Sequence, residues 1–491
     1  MKTIKFFLLI ILALSFPIGC SESFLDDPKP TTSISAEEVY ATDAGVRSHF
    51  NGIYKRLRSQ YSNLAGSYNR NPDAWGIVSV NLSRVAKGSD IVVVGHYQLD
   101  YQHIFTQPTY IRPSFLWTFW YGFINQANVL IDGVEKSETL TAASKEKFIA
   151  EARALRAWCY FELIRDFQFS YAKDPSLPGL PIYKEPTNIN TKGNPRGTVM
   201  NVYEEVINPD LVFAVQHLGV DRPQKSNINI DVAWGLLARV YLEQGRWSDA
   251  RDAAVNARRG NAYPLTSAEY TAKGFGSISS KEWLWGFPMD EADSQTTYYG
   301  NPTACWGMYG SGYHSLFIND LFVQQFSNTD KRKLFYTYTS GPRAWATSKF
   351  GTVTDFSYDV VMMRSAEMIL IEAEARARLN DADAATLLYS LQLDRDASAV
   401  ASGNTGDDLI KEILLERRKE LYGEFGVAYL DAKRTLTDIV RAGNHVSAQV
   451  GVIHPDDNCL NMMIPKIEID ANVSITEADQ NPSKSDYVGI P

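Results

Sequence analysis

The stretch 230–260, IDVAWGLLARVYLEQGRWSDARDAAVNARRG, limits what this chain can fold into more than any other. Ala233, Trp234, Leu237, Ala238 and Tyr241 recur at steps of three and four, which places them on one side of a helix. Gln244-Gly245-Arg246 breaks that helix. Ala250, Ala253, Ala254 and Ala257 then line one side of a second helix, stopped by Gly260 and Pro264. Large residues facing alanines let two antiparallel helices approach closely. The spacing follows the tetratricopeptide pattern of a roughly 34-residue helix–turn–helix unit. An ordinary helical hairpin satisfies it equally well, so the rest of the chain decides. A repeat unit of this kind cannot bury its own apolar face and requires neighbours.

Such neighbours are present. The aromatic run PSFLWTFWYGFINQANVLIDGV (113–134) and the stretch KEKFIAEARALRAWCYFELIRDF (145–167) predict one helix pair. A helix over 199–217, strained at Pro209, leads into the pair at 230–260, and 363–379 with 382–393 predicts another. Ser35 and Glu38 form a capping box opening a helix that carries Val39, Tyr40, Val46, Phe50, Ile53, Tyr54 and Leu57. The stretch 408–422 is strongly amphipathic. Trp117, Trp120, Trp158 and Trp234 stand at helical spacing and read as core. Periodicity fades near 60–110 and is lost near 263–358, where Gly, Ser, Asn and aromatics dominate. The chain has 491 residues, more than the roughly 250–300 over which one compact core grows. The expected fold class is mainly α: a TPR-like scaffold of helix pairs in a superhelix, with long irregular loop-rich insertions. The body is expected over 35–491, with helix pairs near 115–167, 199–260 and 363–393.

Residues 1–19 read as a secretion signal, with Lys2 and Lys5 ahead of the apolar run Phe6–Phe16, too short to span a bilayer. Gly19-Cys20 resembles a lipobox, although Pro17 stands where that pattern has Leu; Cys20 is then the lipidation site and 20–34 a tether. With Cys20 lipidated, Cys159, Cys305 and Cys459 cannot all pair, and Cys159 reads as a buried helical thiol. A net charge of −9 argues against a nucleic-acid partner.

The sequence holds no G-x-S-x-G elbow, H-E-x-x-H or G-x-x-x-x-G-K-[ST] loop. Gly307-Met308-Tyr309-Gly310-Ser311-Gly312 lacks the lysine of a phosphate cradle, and His96 and His103 read as surface or structural residues. Asp290/Glu291 is a carboxylate pair of the kind glycoside cleavage uses, and Asp456-Asp457-Asn458 offers oxygen ligands for calcium. Among so many acidic residues the first is expected by chance, and the second reads as a solvated turn. No catalytic residue, cofactor or metal is assigned.

The assembled motifs resemble the SusD/RagB family of Bacteroidetes outer-membrane nutrient-uptake lipoproteins over nearly the whole length. The resemblance rests on Cys20…Phe24-Leu25-Asp26, Asn125-Gln126-Ala127-Asn128 and Glu151-Ala152-Arg153-Ala154-Leu155-Arg156-Ala157 with Tyr160-Phe161. It continues through Leu180-Pro181-Ile182, Arg196-Gly197-Thr198-Val199 before Tyr203, and Ala238-Arg239-Val240-Tyr241-Leu242. Arg364-Ser365-Ala366-Glu367, Glu372-Ala373-Glu374-Ala375, Glu416-Arg417-Arg418-Lys419-Glu420-Leu421 and Ile464-Pro465 complete the series. Glu424-Phe425-Gly426-Val427-Ala428 departs from the family's Glu-Gly followed by Arg. The resemblance implies a SusD-like helical scaffold whose loop-rich face binds glycans or peptides. It also implies a partner, a SusC-like TonB-dependent barrel transporter beneath the protein, and attachment to the outer membrane through the lipid.

A sugar ring offers an apolar face to a flat aromatic and a rim of hydroxyls to Asn, Asp, Arg or Lys. The richest runs of this kind are Asn71, Asp73 and Trp75 in the early loop, with Tyr298, Tyr299, Asn301, Trp306, Tyr309 and Tyr313 in the insertion. The family's glycan sites draw aromatics from two such regions, which carries over by region only. The same rings would equally fill a secondary core under the loops. The expected function is non-catalytic capture of oligosaccharides. A peptide receptor of the same architecture, a glycoside hydrolase and an envelope scaffold are the alternatives.

Overall fold

The computed structural model describes residues 35–59, 75–104, 106–267, 275–289, 305–306, 313–350 and 358–483. The signal segment, Cys20 and the tether lie outside these residues. The longer helices, in chain order, are α1 (Asp43–Leu57), α2 (Gly76–Lys87), α3 (Ile111–Lys136), α4 (Ala142–Phe167), α5 (Asn208–His217), α6 (Ile230–Glu243) and α7 (Trp247–Arg258). They continue as α8 (Ser365–Arg378), α9 (Asp383–Arg395), α10 (Gly406–Leu421), α11 (Val427–Thr435) and α12 (Lys466–Ala471). The strands are β1 (Ile91–Val93), β2 (Pro178–Pro181), β3 (Arg196–Thr198), β4 (Trp283–Phe287), β5 (Leu316–Ile318), β6 (Phe335–Thr337), β7 (Trp345–Thr347), β8 (Val360–Arg364), β9 (Ile439–Arg441) and β10 (Gly451–Ile453).

The helices stack as the repeat pattern requires. α3 lies along α4, α6 along α7, α7 along α8, and α8 along both α9 and α10. Gly245, at φ +70°, makes the turn between α6 and α7, and the Arg246 N–H closes it on the Tyr241 carbonyl at 2.9 Å. Ala250, Ala253, Ala254 and Ala257 are buried. Their small side chains let α7 sit close to both neighbours. Arg239 on α6 forms a bidentate pair with Glu367 on α8, at 2.8 and 2.6 Å, which joins successive layers. Trp120 meets Trp158 edge-to-face at 5.1 Å, and Trp158 meets Trp285 of β4 at 4.7 Å, so one aromatic ladder runs from α3 through α4 into the insertion. Trp117, Trp120 and Trp158 are core residues, while Trp234 is half-buried.

The chain departs from the sequence reading at three helix starts. The Ser35–Glu38 capping box forms, with Ser35 N–H donating to Glu38 Oε2 at 2.9 Å and Glu38 N–H to Ser35 Oγ at 3.2 Å. Its helix, however, stops after one turn at Val39, because Tyr40 turns inward against α3 and Thr42 caps a new helix. Residues 199–217 are one α turn, then a π turn over Tyr203–Ile207, then α5. Pro209 has no N–H to give the preceding turn, and the widened ladder absorbs that loss. Met363 is not helical: β8 pairs with β4 and runs straight into α8.

The insertion contains strands where periodicity had vanished. β1, β5, β7 and β6 form a four-stranded antiparallel sheet, and β4 pairs with β8. β4 and β8 are buried along their whole length and so carry no alternating pattern to read. Cys159, Cys305 and Cys459 are buried. Among the described residues no helix is long and apolar enough to cross a membrane.

Candidate functional site

The pairing of β1 with β5, in register Ile91↔Ile318, Val92↔Phe317 and Val93↔Leu316, brings the early loop region beside the long insertion. At the end of this pair Val94 N–H donates to the Ser315 carbonyl at 2.9 Å, and His96 N–H to Ser315 Oγ at 3.0 Å. These bonds set His96 and Tyr313 ring against ring, with centroids 4.0 Å apart at 65°. His314, next along, lies nearly parallel to Tyr338 at 6.0 Å, and Tyr338 in turn touches Phe317 at 5.5 Å. His96, Tyr313 and His314 are half-exposed and Tyr338 is exposed. The result is a ring face of His96 and Tyr313, half-open to solvent at the end of the β1–β5 pair, with the His314–Tyr338 pair next along the chain.

Two non-glycine residues here have left-handed backbone, Tyr97 at φ +67° and His314 at φ +47°. Strain of this kind persists only where the surroundings over-determine it. Tyr101 is hydrogen-bonded to His445, and His445 Nε2 lies 2.9 Å from the Ser89 carbonyl ahead of β1. Burial pushes His445 down to about 4 and Tyr101 up to about 12, so this support stays uncharged near neutral pH.

Below the insertion lies a buried cluster of charges. Arg332, Lys349, Arg364 and Arg395 face Glu282, Asp330, Glu416, Glu420 and Glu424. Glu282, Arg332, Lys349 and Arg364 come from the insertion and β8, whereas Arg395 is on α9 and Glu416 and Glu420 are on α10. Paired and hydrogen-bonded on all sides, the cluster fastens the loop-rich part to the helix stack.

Of the ligand residues expected from sequence, Tyr313 lies on the ring face. Trp75 and Trp306 do not, which corrects the expectation for both. Trp75 is 2% exposed, and its backbone N–H donates to Ser79 Oγ at the start of α2; Trp306 is 1% exposed and stacked flat on Phe350 at 4.7 Å. Neither indole has a free face for a sugar. Asn71, Asp73, Tyr298, Tyr299, Asn301 and Tyr309 lie outside the described residues, as do Asp290, Glu291 and the glycine-rich 307–312 run. His96, read as a surface or structural residue, His314 and Tyr338 were missed. The alternation of Phe335–Thr337 followed by Ser340-Gly341-Pro342 was the available signal for the hairpin that carries Tyr338. His103, by contrast, is a buried structural residue, with its ring nitrogens 3.3 and 3.2 Å from the Cys459 and Lys87 carbonyls.

Asp457 caps the His454 N–H at 2.7 Å and Asp456 pairs with Lys173 at 2.6 Å, so both carboxylates of that turn are engaged. Among the described residues no group of three or more His, Cys, Asp or Glu is placed to hold a metal.

Residues 79–242 match the SusD-like family model described as starch-binding, associating with outer membrane, and residues 319–482 match the SusD family model. The chain belongs to the SusD/RagB family. The family is one of non-catalytic binding proteins. A crystal structure of a SusD-like carbohydrate binding protein from Bacteroides vulgatus superposes with a TM-score of 0.80 at 27% identity, covering 91% of this chain and 100% of that one. A SusD-like protein from Bacteroides ovatus is 26% identical over 47% of this chain and 38% of its own length. Another from Formosa agariphila is 22% identical over 49% of this chain and 43% of its own. The match thus spans about two fifths of the length of these curated relatives.

Proposed function

We propose that this protein is a non-catalytic, surface-exposed glycan-binding component of a TonB-dependent uptake system. It captures oligosaccharides on the ring face and delivers them to a partner barrel transporter, held at the outer membrane by lipid on Cys20. The observation that carries the reading is the meeting of His96, from the early region, with Tyr313, from the insertion, at the end of the β1–β5 pair, with the His314–Tyr338 ring pair next along the chain. Likeness to a carbohydrate-binding relative across nine tenths of the chain supports it. An open face of this kind binds weakly; a millimolar constant corresponds to about −4 kcal/mol. Repeated contacts along a polymer and handover to the transporter compensate.

Electrophoresis of the full chain through gels containing single polysaccharides tests the reading. Retardation by at least one glycan, without new reducing ends, is expected, and Tyr313→Ala should weaken it at least severalfold with unchanged thermal stability. New reducing ends would establish a hydrolase, and binding of peptides alone would establish a peptide receptor. Cys20→Ala should shift the protein out of the membrane fraction; retention there would remove the lipid anchor from the reading.

A further inference from the structure

A second feature, sharing no residue with the ring face, lies along the outer side of α3. It is a cleft of about 440 Å³. Trp117, Tyr121, Gly122 and Asn125 of α3 form its floor, the crossing segment from Tyr183 to Gly193 one wall, and α12 with Glu468 the other. Its volume falls within the roughly 300–1,000 Å³ of small-ligand sites.

Hydrogen bonds between its three sides hold the cleft open. Tyr121 donates to the Pro181 carbonyl at 2.7 Å, and the Asn125 amide clamps Thr187, accepting from its N–H at 2.7 Å and donating to its carbonyl at 3.2 Å. The Trp117 indole donates to Glu468 Oε2 at 3.1 Å, and Asn472 donates to Glu468 Oε1 at 2.8 Å and to the Asn194 carbonyl at 3.0 Å. The crossing approaches α12 so closely that a Cβ on Gly193 would overlap the Asn472 side chain. A site bolted together in this way needs little ordering when a ligand enters.

The lining also states what that ligand is. Glu468 is the one acidic or basic side chain among the lining residues, and both its oxygens are already taken, so the cleft suits an uncharged molecule. Tyr121 and Tyr183 meet edge-to-face at 5.8 Å, both half-exposed, and provide apolar ring surface. Threonine hydroxyls and the exposed Asn188 amide edge the mouth. An extended peptide would need unpaired backbone groups to bond along a wall. Here the N–H and carbonyl groups of Tyr183, Thr187 and Asn188, and the Thr191 N–H, are all spent within the protein. Ring surface edged by neutral amides and hydroxyls is the chemistry of a pyranose.

We propose that this cleft is a second carbohydrate site, taking the terminal one or two rings of a neutral oligosaccharide. The proposal rests on the reading of the protein as a glycan binder and adds a site that shares no residue with the ring face. Titration calorimetry of the full chain with malto-, laminari-, cello- and mannohexaose tests it, with crystals soaked in whichever sugar binds. Gly122→Leu fills the floor at an exposed helical position where leucine is the better helix former, and an unchanged thermal unfolding curve is its control. Two classes of site are expected in the parent chain. Gly122→Leu should weaken one at least tenfold and leave the other, and Tyr313→Ala should do the reverse. Asn188→Ala should weaken the same class as Gly122→Leu by a few fold. The proposal is overturned if Gly122→Leu titrates like the parent with every sugar that binds, if sugar enters the cleft at crystal concentration only, or if the cleft takes a peptide instead. Failure of every sugar to bind the parent would bring down the functional reading itself, which keeps the two failures distinct.

Discussion

Arg364→Met tests how the ring-bearing insertion is held to the helix stack. Arg364 ends β8 and is fully buried. Its guanidinium donates to Glu282 at 2.7 Å, to the carboxylate and carbonyl of Glu420, and to Glu424 at 2.7 Å. Breaking a buried pair by removing one partner costs about 3–5 kcal/mol, because the other charge stays buried. Each carboxylate here keeps a second cation: Arg395 for Glu282, Arg395 and Arg332 for Glu420, Lys349 for Glu424. Methionine also retains much of the buried volume, so the lower end, about 3 kcal/mol, is expected. With an unfolding entropy near 2.1 cal/mol/K per residue over roughly 450 residues, that becomes a fall in Tm of about 3 °C. Calorimetry and urea unfolding measure it, the urea midpoint falling with an unchanged slope. Adding Glu424→Gln removes a surplus negative charge and should cost less than the two single changes summed. An unaltered Tm and midpoint in Arg364→Met, or strict additivity in the double variant, would refute the claim that the cluster acts as a fastening.

Gly133→Ala should destabilise by about 1–2 kcal/mol, since the new methyl overlaps the Tyr40 ring while helix propensity returns only about 1 kcal/mol. Tyr40 cannot swing aside without losing its contacts to His49 and the Val129 carbonyl, and urea unfolding gives the value. Acid should weaken the fold in a defined window. Burial alone would raise Glu162 and Glu374, but Arg165 and Arg84 around the first, and Arg434 and Arg378 around the second, hold both at about 2 against an ordinary 4.5. A carboxylate lowered in the folded state contributes stability that is fully present above its unfolded value. The contribution disappears as pH falls from about 4.5 to about 2, on the order of 3 kcal/mol for each group. A urea midpoint that stays level across that window would contradict it.

How much was legible depended on the range of the signal. A helix face is written in residues three and four apart, so the Ala250–Ala257 stripe, the Ser35–Glu38 cap and the tryptophans of α3 and α4 declared themselves. Pro209 was also visible as a fault, although only the fold showed that a π turn accommodates it. The buried strands β4 and β8 were not legible, because strands covered on both faces have no alternation.

The site was harder still. Trp75, Trp306 and Tyr313 are chemically alike in the sequence, yet two are packed inward and one stands at the surface. What separates them is the surroundings each meets in the fold: Trp75 is buried at the start of α2, Phe350 lies flat on Trp306, and Tyr313 keeps a half-exposed ring set edge-on against His96. The sequence alone therefore determined that helices would pair and that aromatic loops would interrupt them, since local periodicity and composition carry both. Tertiary structure decided which rings meet solvent, which charges meet each other, and where α3, the crossing and α12 leave a gap, because each is a contact between segments far apart in the chain.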